Sequence, residues 1–337
     1  MHKILYNEVN ISFGRVIPVL EDNQCYSDTV LSNIEEIDKN QNRWLQLKIC
    51  ELASLADEVS AYVLNLAESL SIERDDIIDV LAESFVFPQS IVLNQTTLFT
   101  DDFDVVACLS SLSSFEKAVL TGFIYQRLNN FGVILTETEL LKSRCCDESF
   151  TYLKNALADE AYDVFSQDFD DPRVAYSESF KEAAAAASDK RVGYCILPLE
   201  EKGGARAAGF MNLLFSSDLK IVAVTSVFGF DGNADVKYAL LSSEFKIPDY
   251  EKGDDRYLEL LLPQNEDIEL SSVLISQKTL GVEVYRINTV ILDSDEDTKN
   301  YYHLVLKTQA QNFAVSLIYF SLFCKGYVPI GLYRNLE

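Results

Sequence analysis

The first half of the chain has apolar residues at helical spacing. Apolar side chains recur every three or four residues across residues 44–66 and again across residues 118–128, which is the period of a helix with one buried face. Ser113-Ser-Phe-Glu116 is a capping-box pattern that begins a helix, and Gly132 is placed to end it. We therefore predict a mainly helical region of unknown role over residues 1–168.

Three further short segments of this region have their own predictions. Residues 76–81 continue the helical period, and Pro88 supplies a stop. Residues 11–20 and 90–93 are apolar runs bounded by polar residues, and they are interpreted as candidate strands.

A different pattern begins after a linker at residues 168–172. The predicted strands are residues 173–176, 194–197 and 219–224. Pro198 is expected to end the second strand, and Ser177 or Ser179 to cap the helix that follows the first. This βαβαβ order predicts a parallel sheet covered on both faces, in an α/β lobe of residues 169–250.

A second linker at residues 248–255 precedes a predicted βαββαβ unit. Its elements, in order, are a strand (257–262), a helix (268–278), two strands (282–292 and 303–307), a helix (312–324) and a strand (327–333). This is the order of a ferredoxin-like domain, predicted over residues 251–337. We expect a multidomain protein of the α/β and α+β classes.

Charge and composition limit the partners of the protein. The chain has 337 residues, of which 48% are apolar, so it can bury two or three domain cores. Its 53 acidic and 28 basic residues give a net charge of −25, which would repel nucleic acid and anionic membranes. The first residues have no apolar core of signal-peptide length, and residues 313–324, the longest apolar run, are too few to cross a bilayer. We expect a cytoplasmic protein.

Metal, cofactor and relay chemistry have few candidate residues. The seven cysteines form no C-x-x-C pair, so we expect reduced, mostly buried thiols, no metal site and no cofactor. Only His2 and His303 are available for a Ser-His-Asp or Cys-His relay. His303 lies in an alternating pattern, which predicts a strand residue.

Four segments, taken in order, resemble one known family. They are Val174-Ala-Tyr176, Pro198-Leu-Glu-Glu201, Lys220-Ile-Val-Ala-Val224 and Val236-Lys-Tyr238. Followed by the βαββαβ unit, they resemble prephenate dehydratase with its carboxy-terminal ACT regulatory domain. The second segment is similar to the family's Pro-Ile-Glu-Asn signature and the fourth to its Thr-Arg-Phe signature. The resemblance implies a periplasmic-binding-like α/β lobe, an ACT-like domain and a role in phenylalanine biosynthesis.

The chain departs from the family at positions that carry the chemistry. Conversion of prephenate to phenylpyruvate needs a proton or hydrogen-bond donor for the departing oxygen and polar or cationic anchors for two carboxylates. Val236 replaces the catalytic threonine, and Lys237 lacks the forked geometry of the family's arginine. Pro198 and Val236 are 38 positions apart, which leaves too little chain for the family's second lobe. We predict a truncated lobe that lacks one wall of the substrate cleft.

The ACT-like domain also departs from its family. Ile268-Glu-Leu270 stands where phenylalanine-sensing members carry Gly-Ala-Leu, and Asn288-Thr-Val-Ile291 where they carry Glu-Ser-Arg-Pro. The resemblance implies that Asn265, Asn288 and Thr289 would contact a small carboxylate or amino-acid ligand. It also implies a homodimer formed through the ACT-like domain.

Three hypotheses remain open for the function. The first is a dehydratase-related protein without activity, acting as a regulatory or scaffolding subunit in aromatic amino-acid metabolism. The second is an active prephenate dehydratase, a carbon–oxygen lyase, in which anchoring side chains hold the substrate and Asp235 serves as the acid. Its site residues would be Ser177, Ser179, Glu200, Asp235 and Lys237. The third is a small-molecule sensor that uses the ACT-like domain.

Overall fold

The computed structural model describes residues 28–69, 111–144, 146–200, 209–228, 235–248, 254–265, 268–293, 298–309 and 313–336. Residues 1–48 and 49–337 form two compact units, and every side-chain contact given below lies in the second. The segments predicted at residues 11–20, 76–81 and 90–93, with Pro88, lie outside the described residues.

Helices cover much of the described chain. They are α1 (Asp28–Ser69), α2 (Ser114–Asn130), α3 (Glu137–Leu140), α4 (Ala156–Phe165), α5 (Phe180–Ser188), α6 (Phe210–Ser216), α7 (Leu270–Thr279) and α8 (Ala314–Phe323), with a 3-10 turn at Ser166–Asp168. None of these helices combines the length and the apolarity that a membrane crossing requires. The capping box predicted for α2 is confirmed, because the side chains of Ser113 and Glu116 bond to each other's backbone N–H groups.

The described strands form one mixed sheet. They are β1 (Ser149–Leu153), β2 (Arg173–Ser177), β3 (Tyr194–Glu200), β4 (Lys220–Phe228), β5 (Asp235–Ser242), β6 (Arg256–Pro263), β7 (Glu283–Asp293), β8 (Thr298–Thr308) and β9 (Val328–Leu336). Their order in the sheet is β2-β1-β3-β5-β4-β9-β6-β8-β7.

The βαββαβ prediction for the last part of the chain is confirmed as secondary structure. Strands β6, β7, β8 and β9, with helices α7 and α8 between them, follow one another in that order. Their pairings with one another are antiparallel, and β6 and β8 are central in the order β9-β6-β8-β7. We call these four strands and two helices the ferredoxin-like half.

The parallel sheet predicted for the preceding part is only partly correct. Strands β2, β1 and β3 are parallel neighbours, but β5 is antiparallel to both β3 and β4. Only residues 229–234 separate β4 from β5, and so short a connection cannot carry a parallel crossover. The prediction that Pro198 ends its strand is also wrong, because β3 continues to Glu200 through a shift in register after Pro198. Strands β1 to β5 form the α/β half.

The sheet crosses both predicted domain boundaries. Strand β1 and helix α4 precede residue 168, yet β1 pairs with β2 and β3. At the other boundary, β4 of the α/β half pairs in parallel with β9 of the ferredoxin-like half. A Cβ at Gly331 of β9 would lie 2.8 Å from the Cβ of Ile221, so only glycine allows the two strands to approach this closely. The Thr225 hydroxyl also donates to the carbonyl of Leu336, at 3.0 Å.

Strong curvature brings β7, at one edge of the sheet, close to the interior strand β3. Strand β7 is six places from β3 in the sheet order, which in a flat sheet would separate them by roughly 29 Å. Yet Glu200 of β3 and Arg286 of β7 form an ion pair. The sheet therefore curls around its inner face, which carries Leu199, Glu259 and Tyr333. Helix α6 lies on this face and joins its apolar core.

Helices cover both faces of the sheet. Helices α5 and α6 pack on the inner face. On the outer face α4 covers the α/β half, and α7 and α8 cover the ferredoxin-like half. Helices α1 and α2 form a further layer on α8 through the buried residues Leu52, Val59, Val63, Leu120, Ile124, Ile318 and Leu322. The helical period predicted for residues 44–66 thus corresponds to a buried stripe of α1 from Leu52 to Val63, whereas Trp44 and Leu47 are exposed.

Candidate functional site

Two residues predicted from the sequence meet on the inner face. Glu200 is the last residue of β3, and the register places it opposite Lys237 of β5. The Lys237 Nζ lies 3.2 Å from the Glu200 Oε2. Arg286 of β7 completes the group, because its Nη1 donates to the Glu200 Oε1 at 2.5 Å. One carboxylate is therefore held between two cations that come from different halves of the sheet.

Irregularities in two strands aim these side chains. The β3–β5 register shifts between Pro198 and Glu200, so that Leu199 is an extra residue. The β7–β8 register shifts between Val284 and Arg286 in the same way, at Tyr285. A β-bulge redirects the side chain that follows it. As a result Leu199, Glu200, Tyr285 and Arg286 all line the same small cavity.

The cavity on the inner face is small and polar. Its volume is about 20 Å³, which is enough for roughly one water molecule. The Glu200 side chain is 6% exposed, whereas those of Lys237 and Arg286 are 29% and 26% exposed. The carboxylate is thus enclosed, and both cations reach toward solvent.

A second acidic residue lines the same cavity. Glu259 of β6 accepts a hydrogen bond from the Tyr333 hydroxyl at 2.5 Å, and its other oxygen lies 2.7 Å from the His303 Nε2. The side chains of Glu259 and His303 are each 1% exposed. The Nδ1 of His303 has no hydrogen-bond partner among the described residues. The prediction of His303 as a strand residue is confirmed, since it belongs to β8.

Aromatic rings form one wall of the cavity. Tyr257 lies edge-on to Tyr285 and stacks on Tyr333, with ring centroids 5.4 and 5.5 Å apart. Burial raises the pKa of Tyr257, so its hydroxyl stays protonated at neutral pH. Beside it, the Lys307 ammonium lies 2.7 Å from an Asp255 oxygen. The hydrogen bond between Lys307 and Asp255 lowers the pKa of Asp255 and raises the pKa of Lys307.

The other residues predicted for a dehydratase site have separate local contacts. The Ser177 hydroxyl lies 2.7 Å from that of Thr151. Ser179 caps α5 by accepting a hydrogen bond from the Glu182 N–H at 3.1 Å. Neither serine lines the cavity. Asp235 begins β5, and its side chain lies outside the described residues, as does all of Glu201.

The three residues predicted to bind a ligand in the ACT-like domain lie in a turn and on a strand. Asn265 accepts a hydrogen bond from the Ile268 N–H at 3.1 Å, which fixes the turn before α7. Asn288 and Thr289 are exposed on β7. None of the three lines either cavity described in this subsection.

A larger cavity lies between α2, α7 and α8. Its volume is about 250 Å³, and it is lined by Lys117, Ile268, Glu269, Ser272, Val273, Tyr319 and Phe323. The Lys117 ammonium lies 5.6 Å from the centre of the Phe323 ring. Ser114 and Ser272 share a hydrogen bond of 2.7 Å that joins α2 to α7. The lining of the cavity therefore combines apolar side chains with one cation, one carboxylate and two side chains that carry a hydroxyl.

Of the four described cysteines, Cys195 and Cys324 are buried, Cys146 is partly buried and Cys50 is exposed. Cys50, Cys146, Cys195 and Cys324 are free thiols. Burial raises the pKa of Cys195 well above its usual range and that of Cys324 to about 12. Both thiols are therefore protonated and inert at neutral pH. Among the described residues no cluster of His, Cys, Asp and Glu could hold a metal ion.

Sequence reasoning missed Arg286, Glu259 and Tyr333 as cavity residues. Arg286 follows a bulge and comes from the far edge of the sheet, so no local pattern marks it. Glu259 did carry a signal. It lies two residues from both Tyr257 and Leu261, which belong to the core of the inner face, so it is expected on that face too. A carboxylate in such an apolar strand needs a buried partner.

Comparisons with known proteins give structural neighbours alone. No family model and no curated protein matches the chain. Prephenate dehydratase from Streptococcus mutans aligns with 56% of this chain and 99% of its own, at 17% identity and a TM-score of 0.45. GqqA, a quorum quenching acylase, aligns with 56% and 95%, at 17% identity and a TM-score of 0.42. Prephenate dehydratase from Staphylococcus aureus aligns with 55% and 100%, at 8% identity and a TM-score of 0.40. Prephenate dehydratases are thus among the neighbours of this chain, at low identity.

Proposed function

We propose that this chain is a prephenate-dehydratase-related protein without dehydratase activity, with a regulatory or scaffolding role linked to aromatic amino-acid metabolism. The family relation rests on the sequence segments that resemble the family's signatures. The absence of activity rests on one observation: Glu200 already holds Lys237 and Arg286, around a cavity of about 20 Å³. A substrate with a ring and two carboxylates cannot enter a space that admits about one water molecule.

The chemistry of the signature positions supports the same proposal. Val236 has no group that could donate a proton to a departing oxygen. Lys237 keeps a positive charge, but Glu200 neutralises it at 3.2 Å. Ser177 and Ser179 are engaged in the β1–β2 edge and in the cap of α5. The anchors that the second hypothesis requires therefore lie apart or are already paired.

The test is a turnover measurement on the purified full chain. Prephenate is added, and phenylpyruvate is followed by its absorbance, with a known prephenate dehydratase assayed in parallel. We expect no phenylpyruvate above the uncatalysed rate. Turnover that disappears in Lys237→Ala, while that variant keeps the circular dichroism spectrum of the unmodified chain, would overturn the proposal in favour of an active enzyme.

The larger cavity favours a sensor as the second candidate. It lies beside Ile268 and Glu269, where the resemblance places the ligand motif of ACT domains. Lys117 could pair with a ligand carboxylate and Glu269 with an ammonium group. A small carboxylate or amino-acid ligand is then expected to raise the melting temperature of the unmodified chain. The rise should be lost in Lys117→Met and kept in Lys278→Met, which changes an exposed lysine of α7.

We also propose a homodimer formed through the ACT-like domain. Among the described strands, the edge strand β7 pairs with β8 alone, and it exposes Tyr285, Ile287 and Ile291. Exposed edges with apolar side chains favour association with a second strand. Light scattering after gel filtration should show a dimer that Ile287→Lys dissociates and that Ile134→Lys, at an exposed position far along the chain, does not. The excess of acidic residues supports the expectation that nucleic acid and membranes are not partners.

A further inference from the structure

The Glu200 carboxylate is held in the way that proteins hold a bound carboxylate. Each of its oxygens contacts a different cation: Oε1 accepts from the Arg286 Nη1 at 2.5 Å, and Oε2 lies 3.2 Å from the Lys237 Nζ. Charge-assisted contacts to both oxygens fix the orientation of a carboxylate as well as its position. The two cations come from β7 and β5, which belong to different halves of the sheet.

The buried carboxylate differs in solvent exposure from the two cations that bind it. Glu200 is 6% exposed, while Lys237 and Arg286 keep more than a quarter of their side chains in solvent. Within the described part of the chain, Glu200 is the carboxylate with which each cation forms its ion pair. Without Glu200, both cations would lose the carboxylate with which they pair, and both would still be accessible to solvent.

We propose that Lys237 and Arg286 form a carboxylate-binding site that the chain fills with its own Glu200. The site is complete because β7 of the ferredoxin-like half supplies the second cation. It is closed to external carboxylates because the internal one is already in place, at an effective concentration that a dissolved competitor cannot match. This inference goes beyond the proposed function and does not depend on the family relation.

The size of the missing group selects the probe. Glu200→Ala removes the Cγ, the Cδ and both carboxylate oxygens, and these are the heavy atoms of acetate. Acetate is therefore the matched ligand for the variant. Pivalate carries the same charge on a much bulkier carbon group, so it should not fit a space left by one methylene and one carboxylate.

The experiment compares the melting temperature of Glu200→Ala in acetate with that in chloride, at equal ionic strength and neutral pH. We expect a saturable rise of about 2–4 °C in acetate. The unmodified chain should show no such rise, and neither should the variant in pivalate. Binding is checked independently by broadening of the ¹³C-acetate signal in the presence of the variant.

Three control variants define the site. Glu200→Gln fills the space with a neutral group of the same shape, so its melting temperature should not respond to acetate. Adding Arg286→Met to Glu200→Ala should abolish the response, because one of the two cations is gone. Glu244→Ala removes a carboxylate that pairs with a single exposed lysine, Lys190, at 2.5 Å, and it should not respond either.

The outcomes decide the proposal in each case. A folded Glu200→Ala protein that responds to acetate no more than Glu244→Ala does would overturn it. If Glu200→Ala does not fold in chloride, recovery of folded protein in acetate supports the site. If the variant folds in neither salt, the proposal is overturned. Dehydratase turnover that persists in Lys237→Ala would overturn the proposed function and leave this inference standing, because the substrate would then bind elsewhere. Turnover that is lost in Lys237→Ala would contradict both.

Discussion

The two halves of the sheet hold their buried carboxylates differently. In the ferredoxin-like half, Glu259 finds Tyr333 and His303 on neighbouring strands of the same half, and all these groups are buried. In the α/β half, Glu200 needs Arg286 from the opposite edge of the sheet. The first network is complete within one βαββαβ unit. The contacts of Glu200 form only when the sheet has curved, so they depend on the packing of the two halves against each other.

Removing Glu259 should have the largest effect on stability. In Glu259→Ala, the Tyr333 hydroxyl and the His303 ring lose their buried acceptor, which we expect to lower the free energy of unfolding by about 3 kcal/mol. Urea denaturation measures this loss. Glu160→Ala, at an exposed position of α4, is the matched control and should stay within about 0.5 kcal/mol of the unmodified chain. Equal losses in the two variants would contradict a structural role for the Glu259 network.

A larger side chain at Gly331, where β9 pairs with β4, should have the next largest effect on stability. Gly331→Ala places a methyl group 2.8 Å from the Cβ of Ile221, so we expect a loss of about 2 kcal/mol from crowding at the β4–β9 pair. The same substitution at Gly122, where no atom lies within 4 Å, should instead stabilise α2 by about 0.5–1 kcal/mol. If both variants are stabilised, β4 and β9 are not in close contact.

Breaking the contact between β3 and the edge strand β7 should cost less stability. Arg286→Met removes a pair that is a quarter exposed on the arginine side, so the expected loss is about 1 kcal/mol. The unmodified chain should lose this contribution in high salt, and the variant should not. Arg173→Met removes an exposed pair with Asp147 and should change the unfolding free energy hardly at all. A loss of the same size there would show that Arg286 acts as an ordinary surface charge.

Protonating Asp255 should have the smallest effect. The Lys307 hydrogen bond lowers the pKa of Asp255 in the folded protein, so this contact stabilises the fold above the ordinary pKa of aspartate. Its contribution is lost as the pH falls through the lowered value. Because the Asp255 side chain is 36% exposed and solvent screens the pair, we expect a contribution under about 0.5 kcal/mol. Unfolding curves of the unmodified chain and Asp255→Asn, at pH values above and below this range, should converge under acidic conditions.

The ferredoxin-like half could be predicted from the sequence because its pairings follow local order. Apolar and polar residues alternate along some of its strands, and other strands are continuously apolar. Apolar residues recur at helical spacing in its helices, and the connections are short. Glu259 is not predicted as a cavity residue, although it is a carboxylate in a mostly apolar strand. The same local signals located β2, β3 and β4 in the α/β half.

The rest depended on contacts that no local pattern encodes. The sequence does not show that β9 would pair with β4, nor that extra residues at Leu199 and Tyr285 would turn Glu200 and Arg286 toward each other. Strand β1 is not predicted, because its five residues precede the linker at residues 168–172 that marks the predicted start of the α/β lobe. Curvature of the whole sheet created the Glu200 site, and curvature is a property of all nine strands together.

The place of β9 in the sheet affects how the protein is made. Strand β9 follows the other eight in the chain, yet it lies in the interior of the sheet, between β4 and β6. During synthesis these eight strands leave the ribosome before the one that joins them. Until then β4 and β6 each present an unpaired edge, and such edges recruit strands from other chains. The nascent protein therefore passes through a stage in which a chaperone that shields strand edges would improve its yield.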